Sequence, residues 1–392
     1  MKNVLMIAYT NYEYDARVRR EAETLARIGG FRVVILGLKA DKRPRSFKLR
    51  GVEISEINQK KYTGSDKLRY IFSYLEFLVR CFLRCTWLLM KGRVDIVHVH
   101  NMPDFMVFAA SVPRVMGRKV ILDIHDTMPE TYLSKFRNRQ SLVFKLLDFE
   151  ESVSTAMAHR VICVNHVQKE ALARRMAEPE KMVISMNMPD PALFPGTTKQ
   201  VAPVRVKNAV FRMIYHGTIA ERLGVDLAVK AVAKLVASIP QLEFHIWGKF
   251  GDELIAIDKL RRNLNLADKV HIVKGGVPLE QLPLKLKQMD LGIIGNRRDA
   301  ATELMLPVKM LEYISLGIPV VAPKLRTIEY YFTDEMVEFF EPENIDAMSE
   351  AILKLYRNKE LREKKANNAK IFLDKYGWEK HRYNLINLYR NL

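Results

Sequence analysis

Residues 306–322 read LPVKMLEYISLGIPVVA. A proline opens the stretch after a polar loop, and a lysine and an amphipathic turn follow. Val308, Leu311 and Ile314 recur at i, i+3 and i+6 and so share one helical face, while Lys309 and Glu312, also three apart, point elsewhere together. After Gly317, Ile318–Ala322 is a continuous apolar run of the kind buried on both faces of a parallel sheet. The unit is loop, helix, strand, with a cation and a carboxylate on the first turns of the helix. It fits two readings. One is an ordinary helix with a surface ion pair. The other is a helix N-terminus that holds a phosphate, with a carboxylate one turn in to catch sugar hydroxyls. The rest of the chain decides between them.

A chain of 392 residues with 48% apolar residues is too long for one ordinary core and can bury two. Prolines and glycines are spread as in a globular enzyme, and no repeat is evident. The net charge of +18 is densest at Arg32–Arg50, where Asp41 is the lone acid. Such a surface suits nucleic acid, an anionic membrane or phosphorylated substrates, or is simply that of a basic soluble protein. Cys81, Cys85 and Cys163 have no metal-ligand spacing and read as buried thiols of a reducing cytoplasm. The opening MKNVLMIAY reads as a first strand, not a signal peptide.

In order, Val4–Ala8 is a strand, a polar loop spans Tyr9–Asp15, and a helix from about Ala16 to Ile28 leads to a second strand, Phe31–Gly37. This β-α-β unit implies a parallel sheet, and its first turn lacks the G-x-G-x-x-G of a dinucleotide site. Tyr70–Met90 is strongly apolar with Arg69, Glu76, Arg80, Arg84 and Lys91 on one stripe. The arginines exclude a spanning helix, and a buried crossover helix is preferred to a membrane-facing one. Strands at Asp95–His100, Lys119–Asp123, Val161–Val164 and Met182–Ser185 continue the first sheet. Polar clusters follow the strands at Tyr12–Arg17, His100–Asp104, His125–Glu130 and Asn165, and in a parallel sheet such loops line one ligand-binding edge.

Residues 187–208 hold four prolines and no helical period. The pattern then restarts with strands at Phe211–Tyr215, Leu242–Trp247, Val270–Val273, Leu291–Ile294, Ile318–Ala322 and Val337–Phe340. The expected architecture is α/β with two Rossmann-like parallel-sheet lobes facing a cleft. The expected bounds are 1–190 for the first lobe, 191–208 for the linker, 209–375 for the second lobe, and 376–392 for a C-terminal helix returning toward the first. There is no cluster of metal-ligand spacing and no phosphate-binding P-loop motif.

Together, Asp15-x-Arg17-Val18, His125-Asp126, the turn Tyr215-His216-Gly217-Thr218, and Pro307-x-Lys309-x-x-Glu312-Tyr313 with Gly317-x-Pro319-Val320-Val321 resemble the retaining glycosyltransferases of family 4, of the bacterial surface or exopolysaccharide type. The resemblance runs over essentially the whole chain and implies the GT-B fold. It implies a UDP- or GDP-sugar donor on the C-terminal lobe and a lipid-linked or saccharide acceptor on the N-terminal lobe, with transfer needing no metal or other cofactor. By this resemblance Glu312 contacts the nucleotide ribose. The amides of Leu306, Pro307 and Val308 face the donor phosphates, although proline carries no N–H. Arg222 grips the diphosphate, helped by Lys309 and Lys249, and His216, Gly217 and Thr218 complete the donor side. His125 stands near the transferred sugar. Two positions depart from the pattern. The upstream glutamate of the family falls at Leu304, so Glu303 is the substitute, and the second diphosphate cation falls at Leu223.

His125 could be a core or capping histidine, but its place after a strand beside Asp126 and Glu130 favours a functional one. Asp126 and Glu130 also suit helix capping, and Asp15 and Arg17 read equally as an N-cap with a surface charge and as acceptor-orienting groups. Tyr12, Asn101 and Asp104 join them on the acceptor side. The basic first lobe, with Tyr62, Tyr70, Phe72, Tyr132 and Phe136, suits peripheral docking on the inner face of an anionic membrane from the cytoplasm. Two rival functions are a UDP-N-acetylglucosamine epimerase of similar fold and a basic nucleic-acid-binding protein. No nucleic-acid motif supports the second, so no nucleic-acid partner is expected.

Overall fold

The computed structural model describes residues 1–40, 46–62, 64, 66–176, 178–194, 210–248, 251–275 and 277–392. The chain divides into two compact units, Met1–Asn187 with Glu379–Leu392, and Met188–Trp378. Most of the expected linker falls outside the described residues.

The first unit holds an eight-stranded sheet in the order β3-β4-β2-β1-β5-β6-β7-β8. Its strands are β1 (Asn3–Ile7), β2 (Arg32–Leu38), β3 (Ser46–Leu49), β4 (Val52–Ile57), β5 (Ile96–His100), β6 (Lys119–Ile124), β7 (Arg160–Cys163) and β8 (Met182–Ile184). Every pairing is parallel except β3 with β4. The expected strands all form, because their runs rich in Val, Ile and Leu are covered on both faces. The β3–β4 hairpin is a correction, since sequence showed only a dense basic segment there. Its turn places Arg50 at φ 47 and Gly51 at φ 88, the left-handed pair that a tight hairpin requires. The hairpin also dilutes the expected basic patch: Arg32 pairs with Glu53 at 3.3 Å and Arg50 with Glu23 at 3.3 Å.

The helix Lys67–Met90 begins at Asp66, whose carboxylate accepts from the amides of Leu68 (2.9 Å) and Arg69 (3.3 Å). Phe77, Cys81, Cys85 and Leu88 enter the core, but the opposite face stays exposed. The expectation of a buried crossover helix therefore holds for one face only. The C-terminal helix Trp378–Arg390 lies mostly within the first unit. It is held there by buried Tyr389, whose hydroxyl bonds to His98 Nδ1 and whose ring lies 5.7 Å from that of Phe31.

The second unit is a six-stranded, wholly parallel sheet in the order β11-β10-β9-β12-β13-β14. Its strands are β9 (Phe211–Gly217), β10 (Leu242–Gly248), β11 (Val270–Lys274), β12 (Leu291–Ile293), β13 (Val320–Pro323) and β14 (Glu338–Phe340). Helices on both faces complete a core of aliphatic side chains. Gly224, at φ 62, opens the helix Val225–Leu235 against the end of β12. A Cβ there would stand 1.9 Å from the Gly295 carbonyl oxygen. Gly224→Ala is expected to destabilise this unit by about 2–3 kcal/mol, from left-handed strain and overpacking together. Urea unfolding of the variant checks this.

Candidate functional site

In the second sheet, β9, β10 and β11 build outward to one side and β12, β13 and β14 to the other. The order therefore reverses between β9 and β12, and in an open parallel sheet ligands bind beyond the carboxyl ends of the strands at such a point. His216 and Gly217 end β9 there. The loop after β12 runs into the helix Val308–Ser315, which is opened by Pro307 with no side-chain cap. Met310, Leu311 and Ile314 hold this helix in the core, leaving Lys309 and Glu312 turned to the strand end.

His216 Nε2 lies 2.6 Å from Glu312 Oε2, and its Nδ1 lies 2.9 Å from the Tyr313 hydroxyl. Glu312 is thus held in one orientation by a ring that is itself held from behind. Lys309 Nζ sits 3.7 Å from the centroid of the Tyr215 ring and is shielded from water, with no hydrogen-bond partner among the described residues. Burial pushes its pKa down to about 7 against the pull of Glu312. Arg222, in the single turn Glu221–Leu223, is close enough for its charge to act on the Tyr215 phenol. Neighbouring cations are committed elsewhere. Arg297 forks onto Asp226 at 2.9 and 2.7 Å, and Arg298 pairs with Glu303 at 3.1 Å.

Glu303 is placed differently from its expected role as a substitute near the reacting sugar. One oxygen meets Arg298 and the other accepts from the Arg326 amide at 2.6 Å, opening the helix Arg326–Tyr331. Both oxygens are occupied, so the side chain ties its loop to that helix. Leu306 and Val308 flank Pro307 at the uncapped helix start. Thr218 is exposed and its carbonyl accepts from Tyr215 at 2.5 Å. Lys249 lies outside the described residues.

In the first unit Asp123 is the centre. Its buried carboxylate takes Arg17 in a fork (Nε 2.9 Å, Nη2 2.8 Å), His100 Nδ1 at 3.1 Å and His125 Nε2 at 3.0 Å. Burial disfavours its charge, but Arg17 and then His125 outweigh that and hold the carboxyl well below its ordinary range. Burial likewise opposes charge on His125, and the Asp123 carboxylate overrides it, so the His125 pKa is raised. Asn101 fixes the loop: its Oδ1 accepts from the His125 amide at 2.8 Å, and its Nδ2 donates to Asp104 and to the Asp126 carbonyl, each at 2.7 Å.

Most of the expected acceptor-side residues are engaged with protein partners or buried. Arg17 is buried against Asp123, Glu21 and the Ser185 carbonyl, so it braces the cluster instead of facing a ligand. Tyr12 and Asp104 are buried, Glu130 pairs with Arg175, and Asp15 caps its helix by accepting from Val18 at 3.1 Å. His125 keeps about a fifth of its side chain exposed (22%), and Asp126 is half-buried beside it. Sequence reasoning missed Asp123 and His98. The signal was available, because His98 and His100 on β5 and Asp123 and His125 on β6 and just after it are same-face pairs in otherwise apolar runs. The register then places His100 opposite Asp123.

Two Rossmann-like α/β units in one chain are the architecture of the GT-B fold. Sequence comparison is more specific: residues 16–191 match the family described as Glycosyltransferase Family 4, and residues 198–372 match Glycosyl transferases group 1. Both halves of the chain thus match glycosyltransferase families, the first of them family 4. No curated protein matches it. Among solved structures, a sucrose-phosphate synthase from Thermosynechococcus elongatus superposes with a TM-score of 0.81 at 17% identity, over 100% of this chain and 99% of that one. Anabaena Alr3699/HepE in complex with UDP gives 0.70 at 12%, over 100% of both chains. WaaG, a glycosyltransferase involved in lipopolysaccharide biosynthesis, gives 0.68 at 16%, over 98% and 99%. At these identities the likeness is one of fold.

Proposed function

We propose that this protein moves a sugar from a UDP- or GDP-sugar to a lipid-linked or saccharide acceptor with retention of configuration, in surface polysaccharide or glycolipid synthesis. The observation that carries the reading is the shielded amine of Lys309, without a hydrogen-bond partner among the described residues, beside the oriented Glu312 carboxylate at the switch point. An amine without a hydrogen-bond acceptor and a carboxylate pinned through one oxygen match a diphosphate next to a ribose diol. The leaving group is a nucleoside diphosphate, whose developing charge Lys309, Arg222 and the first-turn amides of the helix Val308–Ser315 neutralise without a metal. Glu312 accepts from the ribose hydroxyls. His125 steadies the transferred sugar, and the acceptor hydroxyl attacks from the face the leaving group departs, its proton passing to a donor phosphate oxygen. The first unit then carries the acceptor and the second the donor, at the cytoplasmic face of an anionic membrane.

Thermal-shift titration with UDP, GDP and their sugars tests this. A nucleotide at a hundredfold excess over its Kd stabilises by about 2.7 kcal/mol. Binding should also depend on pH with a set sign. Lys309 must be charged to meet phosphate, and its free-state pKa is about 7. Affinity is expected to be flat below that value and to fall by up to about tenfold per pH unit above it, until the pKa of the bound amine is reached. Lys309→Met should weaken binding and flatten this profile. Absence of stabilisation by any nucleoside diphosphate would overturn the reading.

A further inference from the structure

The helix Lys67–Met90 presents a second apolar stripe that the fold leaves uncovered. Leu68, Phe72, Leu75, Val79, Leu83, Trp87 and Met90 recur at three- and four-residue steps along its whole length, about 36 Å, and each is exposed. The helix Leu142–Met157 repeats the device: Leu142, Leu146, Phe149 and Val153 share an exposed face, with Leu142 77% and Phe149 68% open. Both helices pack against the short helix Asp104–Ala110, so both outer stripes belong to one side of the first sheet. Isolated exposed apolar residues need no explanation, but two exposed stripes on helices packed against the same short helix do.

The flank of the longer stripe selects the occupant. Arg69, Arg80, Arg84 and Lys91 line one edge; Arg69 meets Asp66 at 3.6 Å and Arg80 meets Glu76 at 2.7 Å, in exposed pairs that leave the edge net basic. Arg84 lies 4.4 Å above the Trp87 ring, and Lys91 lies 5.9 Å from it, a cation–aromatic pairing suited to a headgroup boundary. A second copy of the chain would set this basic edge against its own duplicate in an isologous contact, whereas an anionic lipid surface complements it. No helix among the described residues is long and apolar enough to cross a membrane, so the stripe lies along a surface.

We propose that the outer faces of Lys67–Met90 and Leu142–Met157 form the membrane-docking surface of this protein, with the apolar stripes inserted at the headgroup boundary of an anionic bilayer and Arg80, Arg84 and Lys91 on the lipid phosphates. This deepens the membrane-partner reading and moves its seat from Arg32–Arg50 to the two helices whose apolar faces are exposed.

Co-sedimentation with phosphatidylcholine vesicles, with and without one-third phosphatidylglycerol, tests it without any nucleotide. Nucleotide stabilisation is measured without vesicles, so failure of docking and failure of the donor reading are separable. The expected result is binding that requires phosphatidylglycerol and weakens with salt, with a blue shift of tryptophan emission. Trp247 and Trp378 are buried, so that shift reports Trp87. The pairs Phe72→Glu/Leu83→Glu and Leu146→Glu/Phe149→Glu sit in solvent and should keep the fold, read by circular dichroism, while losing vesicle binding. Arg80→Gln/Arg84→Gln should weaken binding about tenfold or more, at about 1 kcal/mol for each basic residue. The proposal is overturned by no preference for anionic lipid, by vesicle binding unchanged in the glutamate variants, or by a solution dimer that these variants dissolve.

Discussion

Glu312→Ala is expected to lower nucleoside-diphosphate affinity by roughly 30- to 150-fold and to lower transferase kcat/KM at least as far. The reasoning begins with His216, which sits 2.6 Å from one carboxylate oxygen and leaves the other for ligand. Charge-assisted hydrogen bonds of this kind contribute about 2–3 kcal/mol, and the pinned orientation means little of that is lost to ordering the side chain. The helix itself should survive. Glu312 is partly exposed and its neighbours Leu311 and Tyr313 carry the packing, so the melting temperature without ligand should move little. Titration calorimetry with UDP and GDP separates the two quantities. Full-strength binding by a folded Glu312→Ala protein would remove the donor site from this position.

Asp123→Asn is expected to act on the other unit and on stability. The carboxylate is wholly buried and compensates Arg17 while accepting from His100 and His125. An amide keeps the shape but not the charge, and its NH2 group faces donors. Removing one partner of a buried ion pair typically costs about 3–5 kcal/mol, which for a unit of this size lowers the melting temperature by roughly 10 °C. Glu21, 3.2 Å from Arg17, limits the loss. The pH dependence has a defined sign. Because Asp123 raises the pKa of His125, the stability from that charge is fully present below about pH 6.5 and is lost as pH rises through the folded-state value above it. The variant should lose this slope. A melting curve series from pH 5 to pH 9 measures both effects, and an unchanged slope would show that His125 does not titrate against Asp123.

Much of the fold is legible in the sequence. Strand positions followed from apolar runs of four to six residues, and all six strands of the second sheet fall where those runs predict. The hairpin Ser46–Ile57 does not show, because β3 is a four-residue edge strand with only Phe47 and Leu49 apolar, β4 interrupts Val52, Ile54 and Ile57 with Glu53, Ser55 and Glu56, and a left-handed turn is invisible when Arg50 occupies one of its places. The hydrophobicity of the helix Lys67–Met90 points to the core, yet one of its faces is exposed. Composition says how apolar a helix is; it does not say how many of its faces find a neighbour.

The site divides in the same way. Lys309 and Glu312 could be singled out because a helical period fixes which local residues share a side. Local spacing could not say that His216, 96 positions upstream, grips Glu312, nor that Lys309 points inward over Tyr215 and not into solvent. Nor could it say that Glu303 is used up on Arg298 and a helix start, or that Arg17 is buried beneath His125 and not exposed beside it. Sequence by itself determined the two α/β units and the identity of the groups able to carry charge near phosphate, since these depend on periodicity and residue chemistry within a few turns. Tertiary structure alone decided which of those groups are free for a ligand, because hydrogen-bond and ion-pair partners are drawn from strands far apart in the chain and brought into register only by the sheet.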